Sequence, residues 1–293
     1  NKVMGWRTVL ISGRAKLDLK LNNLVIRKEE IVKIHIPEIA VLIIDSTMVS
    51  FTTALIEKLI AEKVKIIFCG KDHNTIGEIV NYYNKHNSPL MIRKQISWQN
   101  NSKQKTWREI TKEKIDRQAM LLKFIGNDNA NLLLEYKSQV QDGDVSNREG
   151  HAAKVYFNSL FGKDFSRSQD NPTNAMLNFG YSILLSIFTR EITSSGYLTQ
   201  LGIFHENQFN YYNLSSDLME PLRPMIDNIV YFYEPEKFDK EEKIAILKIM
   251  DEEVFIGKTR YTLLNAVNEY CKSVFLALEK GEEQLIKFID YEL

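Results

Sequence analysis

Two patterns of apolar and polar residues divide the chain. Before about residue 80 the apolar positions alternate or form short β-branched runs, which predict strands bounded by turns. The predicted strands are Trp6–Ile11, Lys16–Lys20, Leu24–Arg27, Ile31–Ile36 and Ala40–Ile44. The last of these is a continuous apolar run, which is typical of a strand that is buried on both faces.

The same region contains one amphipathic segment. Apolar residues three to four positions apart predict a helix over Ser50–Lys63, and strands return at Val64–Phe68 and Thr75–Val80. The chain therefore begins with a small β-rich domain that carries one helix, at residues 4–82.

A polar, turn-rich stretch containing Pro89 follows, and residues 83–100 are the predicted linker. Beyond it the spacing is almost entirely helical, so residues 101–293 form a predicted all-α domain. The predicted helices are Lys103–Ile125, Asn129–Val140, Asn147–Leu160, Asn174–Thr193, Leu214–Tyr231, Glu241–Ile249, Tyr261–Glu279 and Glu283–Tyr291. The predicted fold class is α+β.

Composition places the chain among ordinary globular proteins. It has 293 residues, and its 38 Lys and Arg balance 38 Asp and Glu, which argues against nucleic-acid binding by bulk charge alone. The basic segment Lys85–Lys123 still allows a local basic surface, or simply solvated helix faces. Cys69 and Cys271 form no metal or redox motif, and no apolar run is long enough to span a bilayer. We expect a cytoplasmic location without membrane association.

Two acidic residues share one predicted helix. Asp217 and Glu220 are spaced so that both carboxylates lie on one helix face, and Pro221 and Pro224 predict a kink beside them. The alternative for Glu220 is an ordinary ion pair with Arg223.

Two further candidates have equally simple structural explanations. Glu149 completes the pattern S-x-x-E with Ser146, which is a helix-capping box. His205 is a lone histidine, and such residues are often satisfied structural groups. Brought together, however, carboxylates and an imidazole suit Mg²⁺ or Mn²⁺.

Five stretches of the chain resemble a known family. The long ones are SNREGHAAKVYFNSLFGKDFSR (146–167) and FHENQFNYYNLSSDLMEPLRP (204–224), and the short ones are GWRTV (5–9), IFCGKDH (67–73) and PTNAMLNFGY (172–181). They are similar to the catalytic integrase subunit of the CRISPR adaptation machinery, particularly its type II branch. This resemblance implies a β-sandwich-like dimerisation domain followed by an all-α catalytic domain.

The resemblance also implies a metal site. Glu149, His205 and Glu220 match the family's catalytic metal ligands, and Asp217 matches the second member of its downstream acidic pair. The ion would be Mg²⁺ or Mn²⁺. Basic residues near these positions are candidate DNA contacts: Arg148, Lys154, Arg223, Lys103, Lys105 and Arg108.

The function implied is integration of short DNA duplexes, through their 3′-hydroxyl ends, into a repeat array. The implied partners are double-stranded DNA, a second copy of the chain and a small ferredoxin-like adaptation protein. A type II accessory protein and the effector nuclease are possible further partners. Two alternatives remain open: a metal-dependent endonuclease for branched or repair DNA, and a non-catalytic DNA-binding scaffold.

Overall fold

The computed structural model describes residues 7–71, 75–79 and 87–292. The chain divides into two compact units, Asn1–Tyr82 and Tyr83–Leu293. Trp6 and Val80 of the predicted strands, together with residues 83–86 of the predicted linker, lie outside the described residues. The rest of that linker is not featureless, because it contains the helix α2 (Ser88–Ile96).

The first unit is built on two four-stranded sheets. Its strands are β1 (Arg7–Ile11), β2 (Ala15–Lys20), β3 (Asn23–Arg27), β4 (Ile31–His35), β5 (Ile39–Ile44), β6 (Val49–Phe51), β7 (Lys65–Cys69) and β8 (Thr75–Ile79). One sheet has the order β1-β5-β7-β8 and is antiparallel only between β7 and β8. The other has the order β4-β3-β2-β6 and is parallel only between β2 and β6.

Both sheets and the helix α1 (Thr53–Ala61) contribute to a shared apolar core. All six residues of β5 are buried, which confirms the prediction of a buried strand at Ala40–Ile44. The helix is shorter than predicted because Thr52 caps it, accepting a hydrogen bond of 3.3 Å from the Leu55 N–H, while the preceding residues form β6.

The second unit is mostly helical, which confirms the predicted α+β class. After α2 its helices are α3 (Asn100–Phe124), α4 (Asn129–Ser138), α5 (Arg148–Phe161), α6 (Pro172–Ser194), α7 (Asn213–Met219), α8 (Arg223–Tyr233), α9 (Lys240–Leu247) and α10 (Leu263–Lys280). No helix in the described part of the chain is both long and apolar enough to cross a bilayer.

The long helix α3 organises this unit. It packs against α4, α5, α7, α8 and α10. Twelve of its residues are buried, including the polar or charged side chains of Thr111, Lys114 and Arg117. A buried charge requires a partner of opposite charge. We therefore expect acidic side chains beside Lys114 and Arg117 in the interior.

The structure corrects two predicted helices. The segment Leu214–Tyr231 is interrupted by a 3₁₀ turn at Glu220–Leu222, where Pro221 cannot donate a backbone hydrogen bond; the predicted kink is confirmed. The predicted helix Glu283–Tyr291 is wrong. Only Glu283–Leu285 forms a 3₁₀ turn, and Asp290 then pairs with Phe255 through two backbone hydrogen bonds of 2.7 Å.

Phe255 belongs to a hairpin that the sequence pattern did not predict. It consists of β9 (Glu253–Ile256) and β10 (Thr259–Thr262), with Gly257 in its turn at a φ of 61°. The predicted helix at Tyr261–Glu279 therefore begins two residues later, at Leu263.

Gly180 is required by the close approach of α6 and α8. A Cβ atom at this position would overlap the Cγ2 atom of the fully buried Ile226. We expect Gly180→Ala to lower the free energy of unfolding by about 1–3 kcal/mol, since overpacked cores strain their neighbours. Urea unfolding measures this, with Gly13→Ala as control because no atom lies within 4 Å of its added Cβ. Equal stability of both variants would contradict this packing.

Candidate metal centre

Glu149 lies in the first turn of α5, but it does not cap the helix. Instead Asp144 accepts hydrogen bonds of 2.9 Å from the backbone N–H groups of both Arg148 and Glu149. Asn147 adopts a left-handed conformation with a φ of 50°, and the Ser146 hydroxyl finds no hydrogen-bond partner among the described residues. The predicted capping box is wrong, and the Glu149 carboxylate points elsewhere.

That carboxylate meets Lys114, which comes from the buried face of α3. The Lys114 ammonium group contacts the Glu149 Oε1 atom and lies 2.5 Å from the Oε2 atom of Glu220. Burial lowers the pKa of Lys114, but the carboxylates of Glu220 and Glu149 outweigh it and raise the pKa overall. A positive charge therefore sits between two carboxylates.

Glu220 is held ionised by its neighbours. It is buried within the 3₁₀ turn after α7, and its Oε1 atom lies 2.9 Å from the Nε atom of Arg223. Burial raises the pKa of Glu220, but the positive charges of Arg223 and Lys114 lower it by more, so the pKa lies below its usual value. The ion pair with Arg223 therefore exists, and it stabilises the charged form of Glu220.

Asp217 is completely buried and holds the loop that carries His205. Its carboxylate accepts backbone hydrogen bonds from Ile203 (2.6 Å), Phe204 (3.0 Å) and His205 (3.1 Å). Gly202 permits this wrapping, because a Cβ there would lie only 2.8 Å from the Asp217 Oδ2 atom. In this arrangement Asp217 faces the loop, whereas Glu220 faces Lys114.

The imidazole of His205 is oriented by the same carboxylate. Its Nδ1 atom lies 2.5 Å from the Asp217 Oδ1 atom, so Nδ1 donates and the neutral ring carries its lone pair on Nε2. The hydrogen bond to Asp217 raises the pKa of His205, although burial lowers it, and the charge of Glu220 raises it further.

Trp107 supports the His205 loop from α3. Its ring stacks on Phe204 with the centroids 4.4 Å apart, and it meets the His205 ring edge-on at 5.7 Å. Trp107 and Lys114 are separated by two helical turns and occupy the same side of α3. One helix therefore positions both the loop and the charge between the glutamates.

The residues present suit a cation. The carboxylates of Glu149 and Glu220 both contact the Lys114 ammonium group. The Oε2 atom of Glu220 does so without the geometry of a hydrogen bond. Within the described residues, no three acidic, His or Cys side chains are grouped tightly enough to chelate an ion as they stand. The ammonium of Lys114 takes the intervening position.

The comparison with known proteins identifies the family. A family model described as CRISPR associated protein Cas1 matches residues 9–256. The chain belongs to the Cas1 family. It is 31% identical over 290 residues to the CRISPR-associated endonuclease Cas1 of Neisseria meningitidis serogroup C (strain 8013), covering 96% of this chain and 95% of that protein.

Solved structures share the Cas1 fold across nearly the whole chain. A Cas1 protein from Thermotoga maritima superimposes with a TM-score of 0.72 at 18% identity, covering 95% of this chain and 97% of that one. A casposase bound to integration product gives a TM-score of 0.79 at 17% identity, covering 94% and 91%. At these identities the likeness concerns the fold. The assignment to the type II branch stays a prediction.

Two of the six predicted DNA contacts of this Cas1 chain, Arg108 and Arg223, are engaged in internal ion pairs. Arg108 pairs with Glu109 (2.7 Å), Asp142 (2.5 Å) and Glu283 (3.0 Å), so its charge is already compensated. Arg223 binds Glu220 and covers a tyrosine ring.

The other predicted contacts differ in exposure. Arg148 lies over the Tyr136 ring at 5.7 Å, Lys103 and Lys105 are partly buried on α3, and Lys154 is exposed on α5. Of the predicted set, Lys154 is the side chain that is both on the helix of Glu149 and exposed to solvent. Its contact with DNA stays a prediction.

A second buried acid lies behind Arg223. Asp227 accepts hydrogen bonds from the hydroxyls of Tyr156 (2.9 Å) and Tyr181, and Arg223 covers the Tyr181 ring at 4.6 Å. Burial raises the pKa of Asp227 to about 6, although the two tyrosine hydrogen bonds oppose that rise. Asp227 thereby holds the Tyr181 ring that Arg223 covers.

Sequence reasoning missed three residues of this centre, Lys114, Asp144 and Trp107. Lys114 did leave a signal, since it occupies the apolar side of a helix between Ile110 and Ile115. A lysine in that position requires a buried carboxylate partner. Asp144 left no comparable signal, because it caps α5 only when Asn147 adopts a left-handed conformation.

The anchoring of the His205 loop is testable by hydrogen exchange. In Asp217→Asn the amide offers one acceptor oxygen in place of a carboxylate, and each hydrogen bond to a charged group contributes about 1.5–3 kcal/mol. We expect the backbone amides of residues 203–205 to exchange faster in this variant than in the wild type. Asp116→Asn, which affects a partly exposed ion pair with Lys137, is the control. Unchanged protection would show that Asp217 does not hold the loop.

The burial of Asp227 predicts a pH dependence of stability. The Asp227 carboxyl keeps its proton up to about pH 6 in the folded chain but loses it near pH 4 in the unfolded chain. The free energy of unfolding therefore decreases as the pH rises between these two values. The full effect is about 3 kcal/mol. Asp227→Asn should abolish this component. Urea unfolding at pH 4 to 8 measures this effect. Up to pH 6 the free energy of unfolding of the wild type should fall relative to that of the variant, and above pH 6 the difference should be constant. A difference that does not change with pH would refute the raised pKa of Asp227.

Proposed function

We propose that this chain is a metal-dependent DNA integrase of CRISPR adaptation. It would join the 3′-hydroxyl ends of short duplexes to a repeat array by phosphodiester transesterification. The observation that carries the proposal is the pair Glu149 and Glu220, whose carboxylates face a single cation position. Its family membership and the fold it shares with a casposase bound to integration product support the same reaction.

Glu149, Glu220 and the Nε2 atom of His205 are the groups that would hold Mg²⁺ or Mn²⁺. When bound, such an ion supplies charge stabilisation for the phosphate and lowers the pKa of an attacking hydroxyl. Asp217, proposed from the family resemblance as a further ligand, acts here through His205, whose ring it orients. Arg223 keeps Glu220 ionised.

The reaction requires no covalent enzyme intermediate. The 3′-hydroxyl oxygen forms a bond to the target phosphorus while the bond from that phosphorus to the neighbouring 3′ oxygen breaks. The attacking hydroxyl loses a proton to solvent, and the departing oxygen gains one. Exposed Lys154, with Arg148, would contact the DNA backbone, since such contacts position a duplex without reading its sequence.

The proposed assembly contains more than one chain. A second copy of this chain and a small ferredoxin-like protein are the proposed partners, together with double-stranded DNA. One structurally similar chain, with a TM-score of 0.77 and 17% identity, is part of a Cas6-RT-Cas1–Cas2 complex, in which this chain spans 36% of that one. A type II accessory protein and the effector nuclease are further candidates.

The second candidate function is cutting without joining. It is favoured by the name of the Neisseria relative, a CRISPR-associated endonuclease. The same acidic site would direct water rather than a DNA hydroxyl to the phosphorus. The two functions differ in their products, which makes them separable in one assay.

Mixing short duplexes with supercoiled plasmid in the presence of Mg²⁺ or Mn²⁺ tests both. We expect joined products from the wild type, and a loss of more than about 100-fold in Glu149→Gln, Glu220→Gln and His205→Ala. Glu269→Gln, which alters an exposed ion pair with Lys272, should match the wild type. Nicked plasmid without joined products would favour the endonuclease. Activity in EDTA, or in Glu149→Gln, would refute the metal-dependent site.

A further inference from the structure

We propose that Lys114 is an internal counter-ion that occupies the cation position of this centre until a divalent ion displaces its ammonium group. The inference rests on the proposed metal-dependent function and concerns how Glu149 and Glu220 are kept together before an ion binds. It assigns a positioning role to a residue that no part of the proposed reaction uses.

The first support is geometric. The Lys114 side chain is 9% exposed, and its Nζ atom contacts a carboxylate oxygen from each of two separate elements, Glu149 on α5 and Glu220 in the turn after α7. These two glutamates are far apart in sequence and are brought to the same point by α3. A divalent ion would need the same two oxygens.

The second support is the charge balance. Glu149 and Glu220 carry two negative charges, and Lys114 and Arg223 carry two positive charges within the same contacts. Without Lys114 the two carboxylates would repel each other and would tend to separate. Once a divalent ion arrives, the ammonium adds a like charge beside it and is repelled.

The third support is the difference between the two cations. Arg223 is held by two kinds of contact, because its Nε atom lies 2.9 Å from the Glu220 Oε1 atom and its guanidinium lies 4.6 Å from the centre of the Tyr181 ring. Among the interactions described, Lys114 is bound only through its ammonium group, which lies at the end of a four-carbon stem with rotatable bonds. Lysine is therefore the exchangeable cation and arginine the permanent one.

The test compares Lys114→Met with the wild type in metal binding and in stability. Titration with Mn²⁺, followed by the electron paramagnetic resonance signal of the free ion, should show about tenfold or tighter binding in the variant, since a competing cation has been removed. In EDTA the melting temperature of the variant should fall below that of the wild type, and Mn²⁺ should raise it by more than it raises the wild type. Lys94→Met, which removes an exposed pair with Glu279, is the matched control and should change neither property.

Unchanged or weaker Mn²⁺ binding by Lys114→Met would overturn the proposal. If that variant does not fold, acetylation of lysines in the wild-type protein, mapped by mass spectrometry, replaces it. Lys114 should react faster after Mn²⁺ is added while Lys94 is unaffected, and equal reactivity would overturn the proposal. A wild type that binds no Mn²⁺ but still joins DNA would refute the metal-dependent function itself, which separates the two failures.

Discussion

Two carboxylates that face one point inside a protein require a cation between them, and this requirement organises the second unit. Lys114 provides the cation from the most buried side of α3, and Glu149 and Glu220 approach it from separate elements. If Lys114 were buried without the two glutamates, its charge would be uncompensated, and this would destabilise the fold far more than the ion pairs stabilise it. The three residues therefore specify how α3, α5 and the turn after α7 pack, in addition to the chemistry of the centre.

The break between α7 and α8 gives two neighbouring acids different partners. Asp217 and Glu220 were expected to share one helix face because of their spacing. In the structure Asp217 lies on α7 and binds the loop of His205, whereas Glu220 lies in a 3₁₀ turn and faces Lys114. Pro221 ends the regular helix between them, so one acid orients the imidazole while the other is available to a cation.

Much of the fold followed from local patterns, but the centre did not. The buried strand Ala40–Ile44 and the long helix at Lys103–Ile125 were predicted nearly to their ends, since their periodicity is strong. The hairpin β9–β10 was missed because it is short and pairs with Asp290, far away in sequence. The S-x-x-E pattern at Glu149 suggested a cap that Asp144 in fact provides, because left-handed Asn147 shifts the helix start. Contacts between residues that are distant in sequence, and local departures from helical geometry, leave no periodic pattern in the sequence.

The basic segment after the predicted linker shows why charge patterns in a sequence need the fold. It resembled a DNA-binding stripe, yet Arg108 pairs with three acids, Lys114 with two, and Arg117 with Glu113 and Asp290. These cations neutralise acids of the same unit instead of facing solvent. Much of the positive charge along α3 is thus compensated by internal pairing. Lys154 is exposed on the same helix as Glu149, and its contact with a phosphate backbone stays a prediction.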